Sequence, residues 1–213
     1  MKSSELKKYV SLREDVTSDQ YVCGQVCGEY KKLPIKDRVV LDLGGNIGAF
    51  AVYASLLGCK QCISYEPDVD NYNLLQTNTR SYSNIIIHQA AVITKSADAV
   101  RFYKTTGSAK DGYSIIPFRG RVESVVPAVS FKSVLEKYKP STIKMDIEGA
   151  EFDLLIENDL PAYVKDIIVE IHFSKKEFRE KYHTLVSRFK NWNVIIQPKV
   201  TEKNFHTLGQ WSR

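Results

Sequence analysis

The chain has no apolar run approaching the ~20 residues that a membrane-spanning helix needs, and its first residues, MKSSELKKYV, contain no signal-peptide core. A soluble, cytoplasmic protein without a membrane span is expected. Clustered positive charge is also missing. The 30 Lys and Arg residues are interleaved with 25 acids, and the longest basic runs are pairs such as Lys7-Lys8, Lys31-Lys32 and Lys175-Lys176. A net charge of +5 spread in this way reads as a solvated surface rather than a nucleic-acid groove, so no nucleic-acid partner is expected. Cysteine is scarce, with four residues arranged as Cys23-x3-Cys27 and Cys59-x2-Cys62. The first pair shares a helical face and the second opens a strand, which favours reduced, buried thiols over a zinc site. No internal repeat or low-complexity linker breaks the chain. At 213 residues and 43% hydrophobic composition, it suits a single core, and one domain over residues 1–213 is expected. Its parts would be a helical cap over 1–37 and a ligand-binding catalytic core over 38–213. No oligomeric state follows from the sequence.

What the chain does contain is an alternation of strand and helix patterns. Aliphatic and β-branched stretches at 38–43, 61–65, 85–89, 142–145 and 166–171 read as core strands. Helical patterns follow at about 46–57, 69–80 and 175–190, and a further helix runs from a Ser130 cap to just before Pro140. Short extra strands fall at 100–103 and 122–126, and two last strands at about 193–197 and 204–210. Ahead of the first strand, helices are expected over 4–12 and from a Ser18 N-cap onward. The alternation implies an α/β fold with a mostly parallel sheet covered on both faces, one reversed strand at the end, and a ligand at the carboxyl edge of the strands.

Two stretches carry the chemistry. Residues 39–50, VVLDLGGNIGAF, read as strand, tight turn and helix start. Gly44 allows the backbone to pass against a ligand, Gly48 allows close helix packing, and the helix N-terminus offers N–H groups beside Asp42. The second glycine of a dinucleotide fingerprint would fall at Asn46, and the P-loop lysine is missing, so neither phosphate-binding pattern fits. Glu66, at the end of the second strand, is placed to accept both ribose hydroxyls of an adenosine. Ala90 and Ala91 leave room for an adenine ring. Tyr21 and Gln25 lie on a preceding helix that would cross this edge, where an amphipathic stripe also serves as core. The second stretch is IKMDIEGAEFDLL, which puts Lys144, Asp146, Glu148 and Glu151 around the end of a buried strand. The next strand ends in Glu170 and His172, on one face by the two-residue period. Residues 107–120, GSAKDGYSIIPFRG, read as either a substrate lid or a surface hairpin.

The D-x-G-x-N-x-G order of Asp42 to Gly48, the K-x-D-x-E-G-x-E order of Lys144 to Glu151 and the EIH order ending at His172 resemble the FkbM-type family of class I S-adenosylmethionine (SAM) methyltransferases. The resemblance covers about residues 38–173. It implies a Rossmann-like seven-stranded sheet in the order 3-2-1-4-5-7-6, with SAM as cofactor. Asp42, Gly44, Asn46, Gly48, Glu66, Ala90, Ala91 and Tyr21 are the expected cofactor-binding residues, Asp42 facing the cationic amino group and sulfonium. The implied reaction is O-methylation of a sugar hydroxyl, with a deoxyhexose such as rhamnose or fucose in a glycan or glycoconjugate as the acceptor type. His172 and Asp146, alone or as a pair, are the expected base, with Lys144 and Glu148 orienting them or the acceptor. Tyr21, Tyr113, Phe118, Phe173 and Trp211 offer faces for sugar stacking.

No metal ligand set is assigned. A divalent cation held by Asp146, Glu170 and His172 stays open as the less favoured way to acidify the acceptor hydroxyl. Adenine N-methylation is disfavoured because DIEG stands where an [N/D]-P-P-[Y/F] element would be needed. A ribose or other small-molecule hydroxyl, or a non-catalytic SAM-binding module of a larger protein, remain as alternatives.

Overall fold

The computed structural model describes residues 1–105, 113–117, 120–172, 176–196 and 206–213. Its large sheet joins β1 (Val39–Leu43), β2 (Gln61–Tyr65), β3 (Ile85–His88), β7 (Thr142–Met145), β8 (Asp166–His172), β9 (Asn193–Ile196) and β10 (His206–Ser212). Their order is β3-β2-β1-β7-β8-β10-β9, which is 3-2-1-4-5-7-6 when only the strands of this sheet are counted. Every pairing from β3 to β8 is parallel, and β10 runs antiparallel to both β8 and β9. This is the Rossmann-like class I methyltransferase arrangement. A second sheet, β4-β6-β5, is built from β4 (Ala91–Ile93), β5 (Ala99–Lys104) and β6 (Val122–Ser130).

The two-residue period of the strands divides the core. Leu41, Ile63, Ile167, Val169 and Ile171 point to one face, where they meet Phe131, Phe152 and Trp211. Val40, Cys62 and Ile168 point to the other, against Cys23, Val26 and Phe50. Helices α5 (Phe131–Tyr138), α6 (Glu151–Glu157) and α7 (Lys176–Ser187) serve the first face. Helices α2 (Thr17–Glu29) and α3 (Ala49–Leu56) serve the second. Between β2 and β3 runs α4 (Val69–Thr79), whose N-cap Asp68 accepts from the N–H groups of Asp70 and Asn71 at 3.0 Å. The carboxylate of Asp68 also pairs with Lys104 of β5, tying the small sheet to the large one. Helix α5 starts at the expected cap, where Ser130 accepts from Ser133 N–H at 3.2 Å.

Several boundaries differ from the sequence-based expectation. The helix expected over 4–12 is only the short α1 (Ser3–Leu6), although Val10 is still buried. Helix α2 begins at Thr17 after a Val16 N-cap, so Ser18 lies inside its first turn. That start is fixed by buried Val16 and by Asp19, which is engaged by Arg13 through its backbone N–H and guanidinium at 2.8–2.9 Å. Helix α3 begins at Ala49 rather than near Asn46, because Asn46 (φ 48°) and Gly48 (φ 87°) both adopt left-handed backbone. Ala91 opens β4 instead of ending β3. Residues 107–112 of the glycine-rich loop, Phe118, Phe173, the expected helix start at Lys175 and the expected strand start at Asn204 lie outside the described residues. No described helix is long and apolar enough to cross a membrane.

Candidate active site

A cavity of about 450 Å³ opens at the carboxyl ends of β1, β2, β7 and β8. Gly44, Asn46, Glu66, Ala90 and Ala91 line one end, and Asp146, Glu148, Glu170, His172 and His206 line the other. Tyr65, Val92, Phe102, Tyr113 and Ile115 add apolar wall.

The first end is built by the turn after β1. Gly44 and Gly45 donate their N–H groups to the Tyr65 carbonyl at 3.1 and 2.9 Å, pinning the turn to the tip of β2. A Cβ at Gly44 (φ 81°) would lie 1.8 Å from the Asp146 carbonyl oxygen, so no larger residue fits. Asn46 then donates its N–H to Glu66 Oε2 at 2.7 Å, while Asp68 N–H donates to Glu66 Oε1 at 2.9 Å. Burial pushes the Glu66 carboxyl up to about 7, against the pull of those two N–H groups. The buried Oδ1 of Asn46 has no hydrogen-bond partner among the described residues.

The second end brings four carboxylates around one imidazole. Parallel pairing sets Met145 beside Val169, so Asp146, just past the end of β7, and Glu170, still within β8, lie side by side. A tight turn with left-handed Glu148 (φ 58°) and Gly149 (φ 108°) leads into α6. Its first residue, Glu151, is fully buried and accepts from the N–H groups of Ile147 at 3.1 Å and Gly149 at 2.7 Å. The same carboxylate lies 3.0 Å from His172 Nδ1. The other ring nitrogen, Nε2, faces Glu148 Oε2 at 3.5 Å, Glu170 Oε1 at 3.8 Å and Asp146 Oδ1 at 3.9 Å. Burial opposes charge on His172, but Glu151, Glu148 and Asp146 outweigh it and raise its pKa well above the ordinary value. Burial, reinforced by neighbouring acids, pushes Glu148 up to about 7 and Glu170 to about 9, with His172 pulling both down. The hydroxyl of Ser114 donates to the Glu148 carbonyl at 2.6 Å, which holds Tyr113 and Ile115 over the cavity.

Residues 42–205 match the Methyltransferase FkbM domain. The chain belongs to this methyltransferase family. Among curated proteins it is 25% identical over 139 residues to the hexuronic acid methyltransferase AglP of Haloferax volcanii, covering 64% of this chain and 57% of that one. Among solved structures, methyltransferase FkbM from Methylobacillus flagellatus KT superposes with a TM-score of 0.55 at 16% identity, covering 98% of this chain and 57% of that chain. The ribosomal protein L11 methylase of Lactobacillus delbrueckii subsp. bulgaricus gives 0.54 at 11% identity, covering 95% and 83%. The chain thus spans little more than half the length of both AglP and the M. flagellatus protein.

Within this FkbM domain, Gly44, Asn46, Glu66, Ala90, Ala91, Asp146, Glu148 and His172 all line the one cavity. Four expected site residues do not line it. Asp42 is fully buried, accepts from Ser64 Oγ at 2.7 Å and lies 3.1 Å from Lys144 Nζ, so its charge is spent beneath the turn rather than on a ligand. Lys144 donates to the Gly44 carbonyl at 2.6 Å, which makes it a support of the turn, and it does not line the cavity. Burial works against the Lys144 charge, but Asp42 and Asp146 outweigh it and raise its pKa. Gly48 is the N-cap of α3 and abuts α4, where a Cβ would sit 3.3 Å from Leu75 Cα. Tyr21 is 70% exposed on the outer side of α2, whereas Gln25, one turn on, lines the cavity and donates to Glu170 Oε2 at 3.2 Å. Trp211 is buried against Phe189 with ring centroids 4.3 Å apart and is core, not a sugar platform.

Sequence reasoning also left residues out. Glu151 counts there only among the acids that a helix N-terminus favours, and its link to His172 Nδ1 is not foreseen. His206 reaches the site through its pairing with His172, a contact that no local pattern announces.

Proposed function

We propose that the protein transfers a methyl group from SAM to a hydroxyl oxygen of a sugar. The observation that carries this reading is that one cavity joins an adenosine-type carboxylate, Glu66, to the Asp146–His172 cluster. The residues suit SAM. Each Glu66 oxygen takes one backbone N–H and keeps a lone pair for a ribose hydroxyl. The unpartnered Oδ1 of Asn46 calls for a donor such as an ammonium group, and Ala90 and Ala91 present little bulk to an aromatic base. When bound, SAM supplies an electrophilic methyl group on a cationic sulfur.

The chain's own residues supply placement and a proton acceptor. Lys144 holds the Gly44 carbonyl and thereby the turn that shapes the cofactor end. As the new C–O bond forms, the acceptor hydroxyl loses its proton to the Asp146 carboxylate, the base of choice at this edge. His172 is the weaker candidate, because both its nitrogens face carboxylates and so both hold protons. Its charge instead steadies the surrounding acids. Tyr113 offers a ring face to an apolar sugar surface.

A neutral deoxyhexose of the rhamnose or fucose type suits an acidic site. A hexuronic acid is the second reading, favoured by the name of the Haloferax relative. A SAM-binding module without catalysis would not require a buried carboxylate cluster beside its ligand.

Calorimetric titration with S-adenosylhomocysteine should show one site per chain, with none for NAD. Methyl incorporation from SAM should then favour deoxyhexosides over hexuronosides. A folded protein that ignores S-adenosylhomocysteine would sink the reading.

A further inference from the structure

We propose that Asp146, Glu148 and His172 bind one divalent cation, of the Mn²⁺ kind, at the acceptor end of the cavity. Three observations converge on this set. First, the spacing is wrong for hydrogen bonds and right for shared coordination. His172 Nε2 lies 3.5 Å from Glu148 Oε2 and 3.9 Å from Asp146 Oδ1, and one ligand atom from each of the three residues falls within 4.8 Å of the others. Ligand atoms each ~2.1 Å from one ion lie about 3 to 4.2 Å apart.

Second, His172 is prepared as a ligand. It is only 8% exposed, its Nδ1 is taken by Glu151 at 3.0 Å, and Nε2, aimed into the cavity, makes no hydrogen bond among the described residues. A carboxylate on the far nitrogen of a histidine is the usual support for a metal ligand, because it fixes the ring and enriches the ligating nitrogen. Glu151 is in turn held by two backbone N–H groups.

Third, the charge is unbalanced. Among the described residues, Asp146, Glu148, Glu151 and Glu170 gather around His172, with His206 beside Glu170 and Arg121 acting on Glu148, and Lys144 is already paired with Asp42, so the acids still outnumber the basic groups. Buried acids in that excess call for a compensating cation.

A rival set, Glu170 with His172 and His206, shares the same Nε2, so one ion serves one set or the other. Glu170 already accepts from Gln25 and His206 is 62% exposed. The Asp146 and Glu148 side chains are 23% and 29% exposed and line the cavity. One imidazole with two carboxylates suits Mn²⁺ better than Ca²⁺, which takes oxygen ligands alone. The ion would displace the proton on Nε2. Its catalytic consequence rests on the methyl-transfer reading: it would orient the acceptor hydroxyl and lower its pKa, leaving the second oxygen of Asp146 to take the proton.

The test is Mn²⁺ titration of EDTA-treated protein, followed by electron paramagnetic resonance, with circular dichroism to confirm folding. One saturable site per chain is expected. His172→Ala and Glu148→Gln should each weaken it by about tenfold to a hundredfold, and Glu170→Gln by much less. Should His172→Ala misfold, Glu148→Gln, at a partly exposed turn, carries the test. Folded wild type without saturable binding would overturn the proposal, as would binding unchanged by Glu148→Gln or a larger loss in Glu170→Gln. No cofactor or sugar enters the assay, so this failure and a failure of the methyl-transfer reading are told apart.

Discussion

The cofactor end of the cavity holds a single carboxylate, and the acceptor end gathers four. Glu66 is fixed by N–H groups from two adjoining turns, at 2.7 and 2.9 Å. Asp146, Glu148 and Glu170 instead converge on His172, with Glu170 also accepting from Gln25, while Glu151 beneath them, held by two backbone N–H groups, anchors the ring. The carboxylate that lines the cofactor end is therefore held by backbone dipoles, whereas those that line the acceptor end face an opposed charge on His172. Dipoles cost nothing to reorganise and suit recognition. Crowded charges respond to any proton or cation that enters, and suit chemistry.

If the two ends are separate in this way, Asp146→Asn should have the largest effect and confine it to one end. Methyl transfer is expected to fall by about 10²- to 10⁴-fold, while S-adenosylhomocysteine affinity by calorimetry stays within about twofold. A matching loss of affinity would mean that the ends are coupled. Next in size is Glu151→Ala, which strands the N–H groups of Ile147 and Gly149 and removes the partner of His172 Nδ1. Denaturant unfolding should show a loss of about 3–5 kcal/mol, and Glu151→Gln, which still accepts from one N–H, should lose less.

At the cofactor end, Glu66→Gln keeps shape but removes charge, and should weaken S-adenosylhomocysteine about tenfold or more, as expected for a hydrogen bond to a charged acceptor. The same group sets a pH signature. With its carboxyl near 7, Glu66 is about one tenth ionised at pH 6 and nine tenths ionised at pH 8, and the ionised form is the better acceptor for ribose hydroxyls. Wild-type affinity should therefore rise by up to about tenfold from pH 6 to pH 8 and then level off. Glu66→Gln should flatten that rise. A rise of the same size in the variant would assign it to the acceptor end, where Glu148 titrates in the same range.

The two ends also differ in how far the sequence reveals them. Strands read at 61–65 and 142–145 coincide with β2 and β7, and Glu66 follows from strand, acid and proline in succession, all local. The meeting of Asp146 with His172 follows from neighbouring strand ends. Side-chain partnership across strands is not written locally. Asp42 reads as a ligand group because it ends a strand, but the β1–β7 register sets it beside Lys144, which takes up its charge under the turn. His206 joins the site only through its register with His172. The start of α3 is likewise hidden, since the left-handed Asn46 and Gly48 postpone a helix whose apolar pattern begins earlier.

Helix α2 offers the smallest and sharpest check on the division. A helical stripe alone makes Tyr21 and Gln25 equal candidates to touch a ligand, because residues four apart share a face. The structure separates them: Tyr21 is 70% exposed, and Gln25 reaches Glu170 at 3.2 Å. Tyr21→Ala should leave S-adenosylhomocysteine affinity within about twofold, as for an ordinary surface change. Gln25→Ala should act at the other end, on turnover, by freeing the Glu170 carboxylate. If Tyr21→Ala weakened the cofactor analogue tenfold, α2 would have to close over the cofactor end, and the separation of recognition from chemistry along this cavity would fail there first.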